Sequence, residues 1–167
     1  FVETSNRVFT TIDPYYGVRL TPKGTISSPA YSLAGLEGGE LFCSFLVENT
    51  GNVRDSVAVS STLIPPSTIG VESVVLFHDA DRDSTFDVGE GDPSFLVLDP
   101  AASVDLGVLV LLAEDGGGDS YFEIQATAGN DTIHRTDNCV FRVTTRAGPD
   151  NTLHLGPAGN AFSRTMF

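Results

Sequence analysis

Val71-Glu-Ser-Val-Val-Leu-Phe-His78 runs directly into Asp79-Ala-Asp-Arg-Asp-Ser-Thr-Phe-Asp-Val-Gly-Glu90, and the chain then resumes as Pro93-Ser-Phe-Leu-Val-Leu98. The outer two runs decide the fold. The upstream run is rich in β-branched and aromatic residues, and both read as strands. The stretch between them places acidic groups at positions 1, 3, 5, 9 and 12 of a twelve-residue loop. That is the ligand spacing a hard divalent cation asks for. The plain alternative is an acidic surface turn with no ion, but five acids at five ligand positions favour the cation.

This loop resembles that of the EF-hand family. The resemblance implies Ca2+ held by the carboxylates of Asp79, Asp81, Asp83 and Asp87, the backbone carbonyl of Thr85 and both oxygens of Glu90, with Phe86 at the family's apolar anchor position. Ser84 departs from the pattern, because the family has Gly there for a sharp turn, and this lowers affinity or changes the loop's shape. An EF-hand also needs a helix on each side. With strands as flanks, the expectation is a structural calcium clamp inside a β-domain that couples folding to the ion. A sensor that opens a helix pair is not expected.

The chain has 167 residues, 41% hydrophobic and 19% charged, which is ordinary material for one sizeable globular domain. Its 22 acids against 9 bases give a formal charge of −13. Phosphate contacts need a basic face, so a nucleic-acid partner is not expected. The longest apolar run, Leu106-Gly-Val-Leu-Val-Leu-Leu-Ala113, is of strand length, and no membrane span is expected. Phe1 opens the sequence, which points to a processed or trimmed chain. Abundant Thr, Ser, Gly and Asn, the calcium loop and the Asn130-Asp131-Thr132 sequon agree with a secreted protein at the cell surface, with Asn130 a candidate for glycosylation.

Alternation puts Leu41, Cys43, Phe45 and Val47 on one face, and Cys139, Phe141 and Val143 on another. Both thiols therefore point into a core. In an exported protein they are candidates for one disulfide between an early and a late strand. The alternative is two buried thiols acting as small hydrophobes.

Elsewhere the chain alternates β-prone runs with turn signals. Arg7–Ile12 and Tyr16–Leu20 are interrupted by Pro14, Pro22 and Pro29, which favours edge or extended structure. Strands are then expected at Leu41–Glu48, Ser56–Leu63, Val71–His78, Phe95–Leu98, Val104–Glu114, Tyr121–Ala128, Asn138–Thr145 and Thr152–Leu155, with a hairpin turn at Gly116-Gly-Gly118. Seven or more strands without a long helical period give an all-β fold, an antiparallel Ig-like or jelly-roll-type β-sandwich with N- and C-terminal extensions. The expected divisions are an extension over residues 1–35 that supplies edge or donor strands, a calcium-binding sandwich over 36–156 and a tail over 157–167.

Phe45-Leu-Val-Glu-Asn-Thr-Gly-Asn-Val-Arg-Asp55, the acidic loop closing in Gly89-Glu90 and the Leu98-Asp-Pro-Ala-Ala-Ser103 turn together resemble the Ig-like modules of bacterial and archaeal surface proteins. The resemblance covers about residues 40–130. It implies an Ig-like fold and an extracellular structural or adhesive role, with no enzymatic mechanism.

Nothing in the sequence assembles a catalytic constellation. His78, His134 and His154 are widely spaced, with no paired metal-ligand spacing and no nucleophile elbow, and no Lys-Ser or Lys-Thr follows the Gly116-Gly-Gly118 run. The expectation is a non-enzymatic, secreted structural protein that self-assembles into a filament, tubule or surface layer, stabilised by calcium and strand exchange. Residues 1–35 offer the donor strips, and apolar Met166 and Phe167 suit a partner's groove. In design this is similar to donor-strand filaments of the TasA-like kind and to calcium-dependent cannula-forming subunits of hyperthermophilic archaea. The alternative is a calcium-stabilised adhesin or binding module of a larger surface protein; the absence of Trp weakens a sugar-binding version of it.

Overall fold

The computed structural model describes residues 10–68, 70–83, 85–87, 89–90, 93 and 95–148. The strand expected at Thr152–Leu155 and the tail 157–167 lie outside these residues, as does the beginning of the Arg7–Ile12 strip.

Nine strands are described: β1 (Val18–Thr21), β2 (Ser32–Leu36), β3 (Glu40–Asn49), β4 (Asp55–Ile64), β5 (Val71–His78), β6 (Leu96–Leu98), β7 (Ser103–Leu112), β8 (Gly118–Ala128) and β9 (Thr136–Arg146). They form two sheets. Sheet I has the order β1-β3-β7-β5 and sheet II the order β2-β9-β8-β4-β6. The fold is thus the expected all-β, Ig-like sandwich. Every pairing is antiparallel except that of β2 with β9, which runs parallel from Ser32 beside Arg142 to Leu36 beside Arg146.

The core lies between the sheets because alternate residues of the long central strands point the same way. Phe45 and Val47 of β3 and Leu106, Val108 and Val110 of β7 meet Val57 of β4, Ile124 of β8, and Phe141 and Val143 of β9, all with no solvent exposure. Phe141 stacks on Phe122 with ring centroids 5.3 Å apart, and Tyr31 meets Phe45 edge-on at 5.3 Å. Burial of such side chains contributes about 1.5–3 kcal/mol each.

Three sequence expectations need adjustment. Gly116-Gly-Gly118 is no hairpin turn: β7 belongs to sheet I and β8 to sheet II, so the glycines carry the chain around a corner of the sandwich. The boundary expected at residue 35 falls inside β2, while β1 and β2 take edge positions of sheets I and II, an edge placement of the kind expected of residues 1–35. Cys43 and Cys139 are free buried thiols rather than a disulfide, and the Cys139 thiol donates to the Pro22 carbonyl at 2.9 Å.

Candidate metal centre

The acidic loop connects β5, at the edge of sheet I, to β6, at the edge of sheet II. It is therefore a tie between the two layers. His78, half-buried, ends β5, and the buried Asp79 follows, its N–H donating to the Asp105 carbonyl of β7 at 3.1 Å. That bond extends the β5–β7 ladder by one step and fixes where the loop begins.

Carboxylate oxygens of Asp79, Asp81 and Asp83 come within 4.8 Å of one another. Local hydrogen bonds set this convergence. The Asp83 N–H donates to Asp81 Oδ1 at 3.2 Å, and the Thr85 N–H to Asp83 Oδ1 at 2.7 Å, so each side chain bends back over the residue two places on. Glu90 closes the loop on its start: its Oε1 accepts from the Ala80 N–H at 3.0 Å and its Oε2 from the Asp87 N–H at 3.1 Å. Asp87 is held above the usual carboxylate range, first by the charge on Asp83, then by partial loss of solvent, then by Asp81 and Glu90. The loop thus gathers negative charge that a cation would neutralise.

Of the six expected metal ligands, Asp79, Asp81 and Asp83 meet directly, Asp87 lies within their electrostatic reach, Glu90 latches the loop, and Thr85 stands at the rim with its N–H engaged. Oxygen donors of this kind suit Ca2+. Ser84 is not among the described residues. Within the loop, the described left-handed positions are Arg82, at φ 65°, and Gly89, at φ 122°.

The loop folds over the outer face of sheet I. Arg82 Nε lies 2.6 Å from Asp105 Oδ2, and Phe86 meets Phe77 edge-on with ring centroids 5.3 Å apart. Sequence reading missed Asp105 and Phe77. The available signal was a single acid within the apolar run Ser103–Leu112, and an aromatic residue opposite Gly107 that only the register reveals. Asn130 stands exposed on the turn between β8 and β9, its N–H donating to Asp55 Oδ1 at 2.9 Å. His134 occupies the same turn, at φ 48°; His154 lies outside the described residues.

No protein-family model and no curated protein matches the chain in sequence. Solved structures are similar in fold. A PapD-like (ASH) domain of human CEP192 matches with TM-score 0.48 and 13% identity, over 89% of this chain and 99% of that one. A family 123 glycoside hydrolase from Clostridium perfringens matches with TM-score 0.49 and 11% identity, over 70% of this chain and 22% of the hydrolase. SSP-19, a protein of Caenorhabditis elegans similar to MSP-domain proteins, matches with TM-score 0.36 and 8% identity, over 68% of this chain and 92% of that one. No described helix is long and apolar enough to cross a membrane.

Proposed function

We propose that the chain is a secreted, non-catalytic structural subunit in which Ca2+ at Asp79–Glu90 locks the two sheets together, and that copies assemble into an extracellular filament, tubule or layer. The observation that carries this reading is the convergence of Asp79, Asp81 and Asp83 within 4.8 Å on a connection that crosses from one sheet to the other. An ion there couples its binding free energy to the docking of β6, a three-residue edge strand. Assembly draws support from apolar side chains at the edges: Phe95, just before β6, and Val97, within it, are 70% and 57% exposed, and Ile12, ahead of β1, is 76% exposed. The segment leading to Ile12 belongs to the strip expected to donate a strand, and an edge with such residues invites pairing with another chain.

Two measurements test the two halves of the proposal. Titration calorimetry with Ca2+ should show a binding site that disappears in Asp79→Ala plus Glu90→Ala; unchanged binding would put the ion elsewhere. Electron microscopy of the protein with and without a chelator should show polymers that depend on calcium. Discrete monomers under both conditions would leave an isolated adhesive or binding module as the better description.

A further inference from the structure

β4 begins at Asp55, and from Ser56 onward the chain carries no charge until Glu72. It is also incompletely paired. On one side β4 meets β8 from Val57 to Ile64, but on the other it meets β6 only at Asp55, Ser56 and Val57. Among the described residues nothing continues the sheet beside Ala58–Ile64. This open stretch has sharp bounds, because β6 occupies the edge as far as Val57 and Pro65-Pro66 follows Ile64 directly. Leu63 marks the same gap from within. It pairs with Phe122, a core residue, and alternates with Val57 and Val59, so it lies on the inner side of sheet II, yet it is 49% exposed. An unpaired edge with no charge, bulge or proline along it is a template for another strand.

We infer that the edge is completed by β4 of a second copy of this chain, paired antiparallel about a two-fold axis through Ser61. The open stretch matches itself when turned end for end. Ala58 then faces Ile64 of the other copy, Val59 faces Leu63 and Ser60 faces Thr62. Val59 thereby covers the open Leu63 on the inner side, while Ser–Thr pairs line the outer side, both favourable cross-strand combinations. The ends fit as well: where the incoming strand would run into β6, it has reached Pro65 and leaves the ladder. Charge selects the same site. With a formal charge of −13, two copies repel over most of their surfaces, but no acid stands on this stretch. The acid that flanks it, Glu123 beside Thr62, lies on β8. In the dimer the two β8 strands stand three strand spacings apart, about 14 Å, beyond the ~8 Å screening length at physiological salt. Such a contact is isologous and closes on itself, so it gives a dimer whether or not dimers go on to polymerise.

The inference goes beyond calcium-driven assembly and does not depend on it, and its test is therefore read in chelator. Sedimentation velocity of the full chain over a hundredfold range of concentration should show a monomer passing into a dimer. Ser60→Lys plus Thr62→Lys places like charges opposite one another across the axis and should weaken the dimer about tenfold or more. Both side chains are exposed on the outer face, so the sandwich itself is spared. Mixed with Ser60→Glu plus Thr62→Glu, the lysine variant should recover association as a heterodimer. Monomers throughout the range, a dimer indifferent to the lysines, or oppositely charged variants that stay apart would each overturn the assignment. Polymers missing from micrographs in calcium would count against the filament and leave this dimer untouched.

Discussion

The ring of Phe77 occupies the space above Gly107: a Cβ added to Gly107 would lie 2.3 Å from Phe77 Cζ. The two are register partners on neighbouring strands, so the absence of a side chain at 107 lets the ring lie flat on the sheet and present its other side to Phe86. Gly107→Ala must therefore push the ring outward and disturb the seat of the acidic loop. Overpacking of this kind costs about 1–3 kcal/mol, and calcium affinity should fall with it. Urea unfolding with and without Ca2+ measures both. A stability loss with unchanged affinity would show that Phe77 does not position the loop.

The charge on the loop gives a pH signature of known sign. Asp87 is raised in the folded state, so its contribution to stability is complete below the ordinary carboxylate value of ~3.9 and is lost as pH rises through the folded value. In chelator, acidification from neutral pH should therefore first relieve the loop, and Asp87→Asn should remove that relief. Asp131 behaves in the opposite way. Burial pushes it up, but the N–H groups of Arg135 and Ile133 and the Arg135 guanidinium outweigh burial and hold it low. Its contribution is present above the ordinary value and is lost as pH falls through the folded one. Calcium at saturation should abolish the Asp87 effect and, at a concentration one hundred times Kd, add about 2.7 kcal/mol. Melting curves from pH 7 to 3 that show no difference between chelator and calcium would contradict this account.

The two thiols lie between the sheets, where ionisation is disfavoured. Cys43 is pushed up to about 12 by burial and by the neighbouring Cys139, and Cys139 to about 11, chiefly by burial. The thiolate is the reactive species, so at pH 8 the folded protein should react with a thiol reagent far more slowly than the unfolded one. Under reducing preparation, denaturant should expose two thiols per chain. Finding none after unfolding of protein prepared without reductant would mean that the pair had oxidised across the core, as the alternation of their strands first suggested.

What could be read from the sequence follows from how local each feature is. Val71–His78 matched β5 residue for residue, because β-branched and aromatic composition and a sharp acidic boundary are properties of neighbours in the chain. The convergence of Asp79, Asp81 and Asp83 was readable for the same reason, since alternate residues in a tight loop share a centre. Which sheet receives each strand is a non-local matter, and Gly116-Gly-Gly118 illustrates it: three glycines allow a hairpin or a corner equally, and only the packing of β8 between β9 and β4 selects the corner. Likewise β2 joins β9 in parallel through a pairing more than a hundred residues distant, with no signature in its own five residues. Phe77 over Gly107 depends on register across two strands, beyond what either run states alone.

Asn49, the first residue of the Asn49-Thr-Gly-Asn52 turn, gives the last test, because it separates the scaffold from the metal. Its side chain is fully buried. Nδ2 donates to the carbonyls of Val53 and Leu98, both at 2.9 Å, and Oδ1 accepts from the Gly51 N–H at 2.8 Å. One amide thereby fastens the end of β3 in sheet I to the approach to β4 and to the end of β6 in sheet II. Asn49→Ala leaves two carbonyls and one N–H without that partner, and buried groups deprived of a partner cost about 1–3 kcal/mol each unless water reaches them, so a loss of about 2–4 kcal/mol is expected. Asn49→Asp keeps the shape and the acceptor but removes both donors and places a charge among carbonyls, so it should be the worse of the two. Neither substitution touches the acidic loop. Since Leu98 closes the same β6 that the loop leads into, calcium should recover part of the lost stability in Asn49→Ala while its affinity for the folded protein stays near that of the parent. Calorimetric Kd and denaturation midpoints on the two variants decide the matter, and a large fall in affinity would show that the amide and the loop act as one unit.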